Sequence, residues 1–213
     1  MKPDSQIAGF TKEDSKIAVQ IKDQEPIIAD HVVLAVGLMP SVGLAERSGL
    51  EIDPVLGGIV VNAELEARSD IYAAGDVTSY HDVALGRRRV EHYDHAVESG
   101  RLAGLNMTGA KKPYMHQSMF WSNLGPSVSY EAVGIVGSSL PTVSIWAKPA
   151  DKPATPGEED LGKGVVYYLN KEKHVVGVLL WNLHGKLDDA RKLIASKRPY
   201  AAKDLSGIIK IYE

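Results

Sequence analysis

Two short apolar runs, each ending in glycine, do most to limit what this chain can fold into. They are DHVVLAVG at residues 30–37 and IYAAGD at residues 71–76. Each reads as a buried strand, with the glycine marking where the strand stops and a turn begins. In an open α/β sheet the carboxyl ends of the strands form the edge at which ligands bind. The second run puts a carboxylate, Asp76, directly after such an end, where it can accept a hydrogen bond from a ribose or ribityl hydroxyl. The plainer reading is an aspartate closing an Asx turn or capping a helix. A Gly-x-Gly-x-x-Gly turn, the usual opening of a dinucleotide-binding βαβ unit, occurs nowhere in the 213 residues.

The rest of the chain supplies a frame for these runs. KIAVQI at residues 16–21 alternates as a half-buried strand should, and residues 26–36 continue as a second strand into the first glycine. Ser41 is placed to cap a short helix that stops near Gly49. Residues 59–62 and 71–74 read as strands. A helix is expected from Arg89 to about Asn106, with Val90, Tyr93, Val97, Gly100 and Gly104 on the stripe facing a sheet. Composition shifts at KKPY, residues 111–114. Beyond it, five strand-like runs are separated by turn signals: residues 119–122, 130–136, 142–146, 164–169 and 175–181. They predict a mostly antiparallel sheet. Two short helices are expected after it, over residues 187–196 and 204–211. Residues 148–160, KPADKPATPGEED, read as a flexible loop inside that sheet.

Bulk properties exclude several functions. The chain has no cysteine, so disulfide frameworks and thiol redox centres are out. A net charge of −3 gives no global drive toward nucleic acid. No apolar run reaches the roughly 18 residues of a membrane helix. The opening residues carry neither a secretory core nor an arginine-rich transit pattern, so a targeting sequence is not expected in this chain.

The most specific stretch is GRRRVEHYDHAVESGRLAG, residues 86–104. A helix starting here directs free N–H groups and a partial positive charge outward. Glu91, His92 and Tyr93 are expected at its first turn. Glu91 also suits a helix N-terminus as plain electrostatics, and His92 also reads as a packed neutral histidine. His92 and His95 lie three apart, but no further ligand pattern supports a metal. Arg87, Arg88 and Arg89 read either as a solvated helix start with ion pairs, or as a nuclear-import signal or dimer salt-bridge patch. Three charges do not make a strong DNA binder, because affinity grows with the number of phosphates neutralised.

The two glycine-terminated runs resemble late motifs of pyridine-nucleotide-dependent flavin reductases. Residues 85–110, followed by KPYMHQSMFWSNLGP, are more specifically similar to the apoptosis-inducing factor family of mitochondrial flavoproteins. EIDPVLGGIVVNAELEARSDIYAAGD, GKGVVYYL and VVGVLLWN extend the resemblance over nearly the whole chain. It implies an FAD-dependent NADH oxidoreductase that dimerises on reduction. The family maintains the respiratory chain from the mitochondrial intermembrane space and moves to the nucleus in caspase-independent cell death. Weak or indirect association with DNA is part of that expectation.

Carried over residue by residue, the resemblance assigns Asp76, His92 and Tyr93 to FAD. It assigns Gly37, Glu91, His92, Trp121, Glu131 and Asn182 to NAD(H), with His92 and Trp121 as the redox-coupled pair. An indole face at Trp121 can stack on a planar ring, worth about 0.5–1.5 kcal/mol beyond burial. Without the resemblance, Trp121 reads equally well as a core residue, Glu131 as a solvated strand residue and Asn182 as a turn residue. At Tyr93 the family has a second histidine, and the long acidic insertion of vertebrate members is reduced here to residues 148–160. The implied fold is α/β plus α+β. Residues 1–112 would be the C-terminal part of an FAD-binding domain. Residues 113–213 would be a reductase-type C-terminal domain, with a five-stranded sheet and two helices. Without its glycine-rich turn, the chain alone is expected to hold no flavin stably and to be inactive. Two other readings stand beside this: a non-redox interaction module acting in cell death, and an active reductase completed by another chain.

Overall fold

The computed structural model describes residues 2–147 and 162–211. The loop expected over residues 148–160 lies outside the described residues. The chain divides into two compact units, Met1–Met39 and Pro40–Glu213.

The first unit is an antiparallel meander of β1 (Ile7–Glu13), β2 (Lys16–Ile21) and β3 (Ile27–Ala29). The alternation in KIAVQI buries Ala18, Val19 and Ile21. Asp14, at φ 53°, turns β1 into β2. The expectation of one strand over 26–36 is corrected: pairing ends at Ala29, and residues 30–36 join no strand. A buried parallel strand needs partners on its edges. None pairs with this run among the described residues, and Val33 is 91% exposed and Val36 83%.

The second unit begins with helix α1 (Gly43–Arg47). Its N-cap is Val42, not the expected Ser41, and no side chain caps it. Gly49 follows at φ 69°, the left-handed conformation that ends a helix. Next come β4 (Ile59–Val60), the hairpin strands β5 (Glu66–Arg68) and β6 (Ile71–Tyr72), a 3-10 turn (Gly75–Val77), β7 (Thr78–Asp82) and β8 (Gly86–Arg88). β4 pairs with β7 in parallel, and β8 folds back on β7. Helix α2 (Tyr93–Met107) covers them.

Two expectations about α2 are corrected. Residues 86–88 form a strand, and His92 at φ −107°, ψ 140° is extended, so the helix starts at Tyr93 rather than Arg89. The face it buries is His95, Ser99, Ala103 and Asn106. Tyr93 is 72% exposed, and a Cβ at Gly100 or Gly104 would touch nothing. Apolar periodicity mis-assigned the face because the buried stripe is polar, with its polar groups satisfied by hydrogen bonds. Asn106 alone donates to Glu64 O and Lys112 O and accepts from Lys112 N–H. The core beside α2 is Val61, Leu65, Tyr80, Val90, Ala103 and Tyr114.

The expected five-stranded sheet is present: β9 (Met119–Leu124), β10 (Val128–Gly134), β11 (Thr142–Trp146), β12 (Gly164–Leu169) and β13 (Val175–Trp181). It is antiparallel throughout, in the order β11-β12-β13-β10-β9. Val133, Val165, Tyr167, Val178 and Leu180 form its buried face, covered by Leu193 and Ile194 of α3 (Leu187–Ala195) and by Leu205 of α4 (Ala202–Leu205). The last helix is shorter than the expected 204–211. Ser206 leaves helical geometry at ψ 117° and Gly207 turns the chain at φ 87°.

Gly134 and Gly177 face each other across β10 and β13. A Cβ on Gly177 would lie 2.0 Å from Ile135 O, and one on Gly134 2.3 Å from Val176 O. The strands cross there with no room for a side chain. Gly177→Ala should therefore lower stability by about 2–3 kcal/mol through overpacking, read as a fall in the urea midpoint monitored by tryptophan fluorescence.

Candidate functional site

The Asp76 turn is held from three sides. Gly75 takes φ 75°, which suits a residue without a Cβ. Its N–H donates to Ser99 Oγ at 2.9 Å and its carbonyl accepts from Thr78 Oγ1 at 2.7 Å. Arg89 Nη1 donates to Asp76 O at 3.3 Å while its Nε donates to Leu56 O. The backbone is thus pinned and the Asp76 side chain is left exposed. Gly75 lies against Ala96 in the first turn of α2, 3.7 Å from a built Cβ to the alanine methyl carbon.

The start of α2 adds the next groups. No side chain caps this terminus, so its first N–H groups are not claimed by a cap. His92, the N-cap residue, is hydrogen-bonded through Nδ1 to Ser118 Oγ at 2.5 Å, and its ring tilts against Phe120. Burial, followed by the charge of Arg88, holds its pKa below the ordinary histidine value, so it is neutral near pH 7. Asp94, in the first turn of α2, accepts from His116 Nε2 at 2.5 Å and from Met119 N–H at 3.0 Å. Burial alone would raise its pKa, but these two bonds outweigh it and the pKa is lowered.

Arg89, Val90, Glu91, His92 and Phe120 line one shallow pocket. Glu91 pairs with Arg89 Nη1 at 2.7 Å. Beside it Tyr93 meets Trp121 edge to face, ring centroids 6.0 Å apart. Trp121 is 48% exposed, which leaves an indole surface open to a planar ligand. Glu131 stands opposite Trp121 in the register of β9 and β10. Its Oε2 is buried with no hydrogen-bond partner among the described residues, and Oε1 lies 3.7 Å from His184 Nδ1. Asn182, at φ 47°, is committed to the fold. Its Oδ1 accepts from Ser129 N–H, and its Nδ2 donates to Ser127 O and Gly162 O. Gly37 belongs to the first compact unit, at φ 98°.

Comparison with known proteins fits this geometry. Residues 103–157 and 152–196 match the family model described as apoptosis-inducing factor, mitochondrion-associated, C-term. Residues 1–100 match that of the pyridine nucleotide-disulphide oxidoreductases. The chain is 46% identical over 189 residues to apoptosis-inducing factor 1, mitochondrial, of Dictyostelium discoideum, covering 87% of this chain and 35% of that protein. A Drosophila melanogaster protein of the same family name is 43% identical over 249 residues, with 99% of this chain and 33% of the relative covered. The chain carries the apoptosis-inducing factor C-terminal domain and is homologous to apoptosis-inducing factor 1 proteins over nearly its whole length.

It spans about a third of the length of these curated relatives. The fold is shared with the ferredoxin reductase for the CYP199A2 system from Rhodopseudomonas palustris. That match has a TM-score of 0.70 at 24% identity and covers 95% of this chain and 48% of that one. An FAD-dependent pyridine nucleotide-disulphide oxidoreductase from Desulfovibrio vulgaris matches with TM-score 0.69 at 20% identity, covering 92% and 49%. The matched models are thus those of apoptosis-inducing factor and of the pyridine nucleotide-disulphide oxidoreductases, and the fold is mixed α/β.

Within this chain the arginine triplet precedes α2 rather than starting it, but two of the expected ion pairs form, Arg88 with Asp82 and Arg89 with Glu91. Arg87 donates to Ser79 O at 2.7 Å and to Val61 O. Arg88 donates to Gly134 O at 2.9 Å and faces Asp82 Oδ2 at 3.4 Å. Arg89 holds the Asp76 turn. The triplet thus ties β4, β7 and β8 to β10. No sequence pattern pointed to Thr78, Ser99, Tyr114 or Ser118, because their role lies in pairing with α2 across long sequence separations. The only available signal was the polar i, i+4 pair His95 and Ser99.

Asp82 has 1% side-chain exposure and also accepts from Ala84 and Leu85 N–H. Arg88→Ala should cost about 3 kcal/mol, because it leaves that carboxylate without its cation. Arg101→Ala, which removes an exposed pair with Glu98, should stay within about 0.5 kcal/mol. Urea denaturation of the two variants reads the difference. His95, fully buried, has its pKa lowered to about 4, first by burial. The unfolded chain takes up this proton near pH 6.5 and the folded chain only near pH 4. This contribution to stability is therefore complete above pH 6.5 and is lost as pH falls toward 4. His95→Gln should flatten that part of the stability profile, measured by thermal melts from pH 7.5 to 4.

Proposed function

We propose that this chain is the C-terminal segment of an FAD-dependent NADH oxidoreductase of the apoptosis-inducing factor type. In this reading residues 1–112 close the FAD-binding domain and residues 113–213 form the C-terminal domain. The carrying observation is the exposed Asp76 carboxylate, held on a pinned turn beside the uncapped start of α2. That donor set fits a flavin: a carboxylate for ribityl hydroxyls, helix N–H groups for the pyrimidine edge, and aromatic surface for planar rings.

When bound, FAD supplies the hydride-accepting chemistry with NADH as donor. The protein's share is binding and electrostatics. Asp76 orients the ribityl chain. The α2 N-terminus stabilises negative charge at the ring, and backbone groups serve at Tyr93, where the family's histidine is missing. His92, neutral and tied to Ser118, tunes that field without adding a positive charge. Trp121 stacks on a ring, while Glu91, Glu131 and Asn182 border the NAD(H) site. Asn182 does so by shaping the β13 terminus, since its amide is bonded to backbone.

Mitochondrial placement rests on the relatives' names, and respiratory-chain maintenance, reduction-linked homodimerisation and a nuclear role in cell death rest on the family resemblance. A second reading is a non-redox interaction module. The missing glycine-rich turn favours it. The arginine triplet's bonding to backbone weighs against import through the folded triplet.

This chain incubated with excess FAD and passed through gel filtration should come out colourless, whereas a longer protein that joins it to a glycine-rich nucleotide-binding half should retain a visible flavin band that NADH bleaches, and should lose most of it on Asp76→Asn. A longer protein that stays colourless would favour the interaction module, and one that keeps its flavin after Asp76→Asn would reject the role of Asp76.

A further inference from the structure

Resting on the assignment of Asp76 to the flavin, we propose that His95 is the positioning residue of the Asp76 carboxylate. Its imidazole, shared between Tyr114 and Thr78, holds the Gly75 peptide on which Asp76 is mounted.

Four buried side chains on three segments converge on that peptide. Ser99 Oγ accepts from Gly75 N–H at 2.9 Å and donates to His95 O at 2.6 Å. Thr78 Oγ1 donates to Gly75 O at 2.7 Å and lies 3.3 Å from His95 Nε2. Tyr114 Oη lies 2.8 Å from His95 Nδ1. The donor count assigns the tautomer. The Thr78 hydroxyl proton is used on Gly75 O, so Thr78 accepts and His95 Nε2 carries the hydrogen. Nδ1 is then a lone pair, accepting from Tyr114. Tyr80 stacks on the ring at 4.4 Å and 22° and prevents its rotation. His95 and Ser99 have 0% exposure, as does Thr78. None of them can touch a ligand, so any effect on one must travel through Gly75 to Asp76.

A histidine that only filled the core would need no such arrangement. The chain instead uses both ring nitrogens and both polar groups of Gly75. Gly75 at φ 75° is the residue whose conformation aims Asp76.

The test uses the whole chain in two measurements. Ring 15N shifts should report the neutral Nε2–H tautomer of His95. In Thr78→Val, which keeps shape and removes one hydroxyl, the Gly75 amide should exchange about tenfold faster, while the sheet amides of Val178 and Leu180 stay unchanged. His95→Asn should do the same, and His95→Gln, which keeps an N–H near the Nε2 position, should restore protection. In titrations with FAD followed by flavin fluorescence, Thr78→Val and His95→Asn should raise the dissociation constant about tenfold. Asp76→Asn is measured beside them. Unchanged Gly75 exchange, or an Nδ1–H tautomer, overturns the positioning role. FAD affinity lowered by Asp76→Asn but untouched by Thr78→Val overturns it while leaving flavin binding intact. FAD affinity indifferent to Asp76→Asn overturns the flavin assignment itself, and the proposal with it.

Discussion

The Gly75 peptide is the point on which the site depends. Its N–H and its carbonyl are both taken by side chains, from Ser99 on α2 and from Thr78 at the start of β7. A buried peptide with both groups satisfied by partners from two elements can neither rotate nor shift without losing a hydrogen bond. Asp76 follows directly, so its exposed carboxylate is carried on rigid backbone. The polar face of α2, which is poor as a helix-packing surface by apolar count, is the one that can hold such a turn.

The arginine triplet plays a parallel part at the other end of the turn. Three adjacent guanidiniums would repel in solution, yet each is directed to a different set of carbonyls, in the loop at Leu56, in β7 and in β10. Arginine suits this because its planar fork donates several bonds from one side chain. Arg88 carries the link to the antiparallel sheet at Gly134, where β10 meets β13 with no side chain between them. The segment that orients Asp76 is thereby tied to the sheet that carries Trp121 and Glu131.

The five strands of the second sheet were legible because each is a short β-branched or aromatic run between turn residues, and burial on one face repeats with period two. Asp76, His92 and Trp121 were legible as candidates through family likeness; the buried strand expected over residues 71–74 is instead a two-residue hairpin strand, Ile71–Tyr72, with Ile71 42% exposed. The face of α2 was not legible, because His95, Ser99 and Asn106 are buried by hydrogen bonds rather than by hydrophobicity. The strand expected over residues 30–36 failed for a different reason. Its apolar content demands burial between neighbours, and a strand exists only where its edges are paired.

The amino-acid sequence by itself determined the strand inventory of the antiparallel sheet, the turn at Gly75 and the family, because these rest on local pattern and residue identity. Tertiary structure decided which groups meet: His95 with Tyr114 and Thr78, Arg88 with Gly134 and Asp82, Asn182 with Ser127, Ser129 and Gly162. Those pairings join residues far apart in the chain. Hydrogen-bond partners of a buried polar group are chosen by packing geometry, which no local pattern encodes.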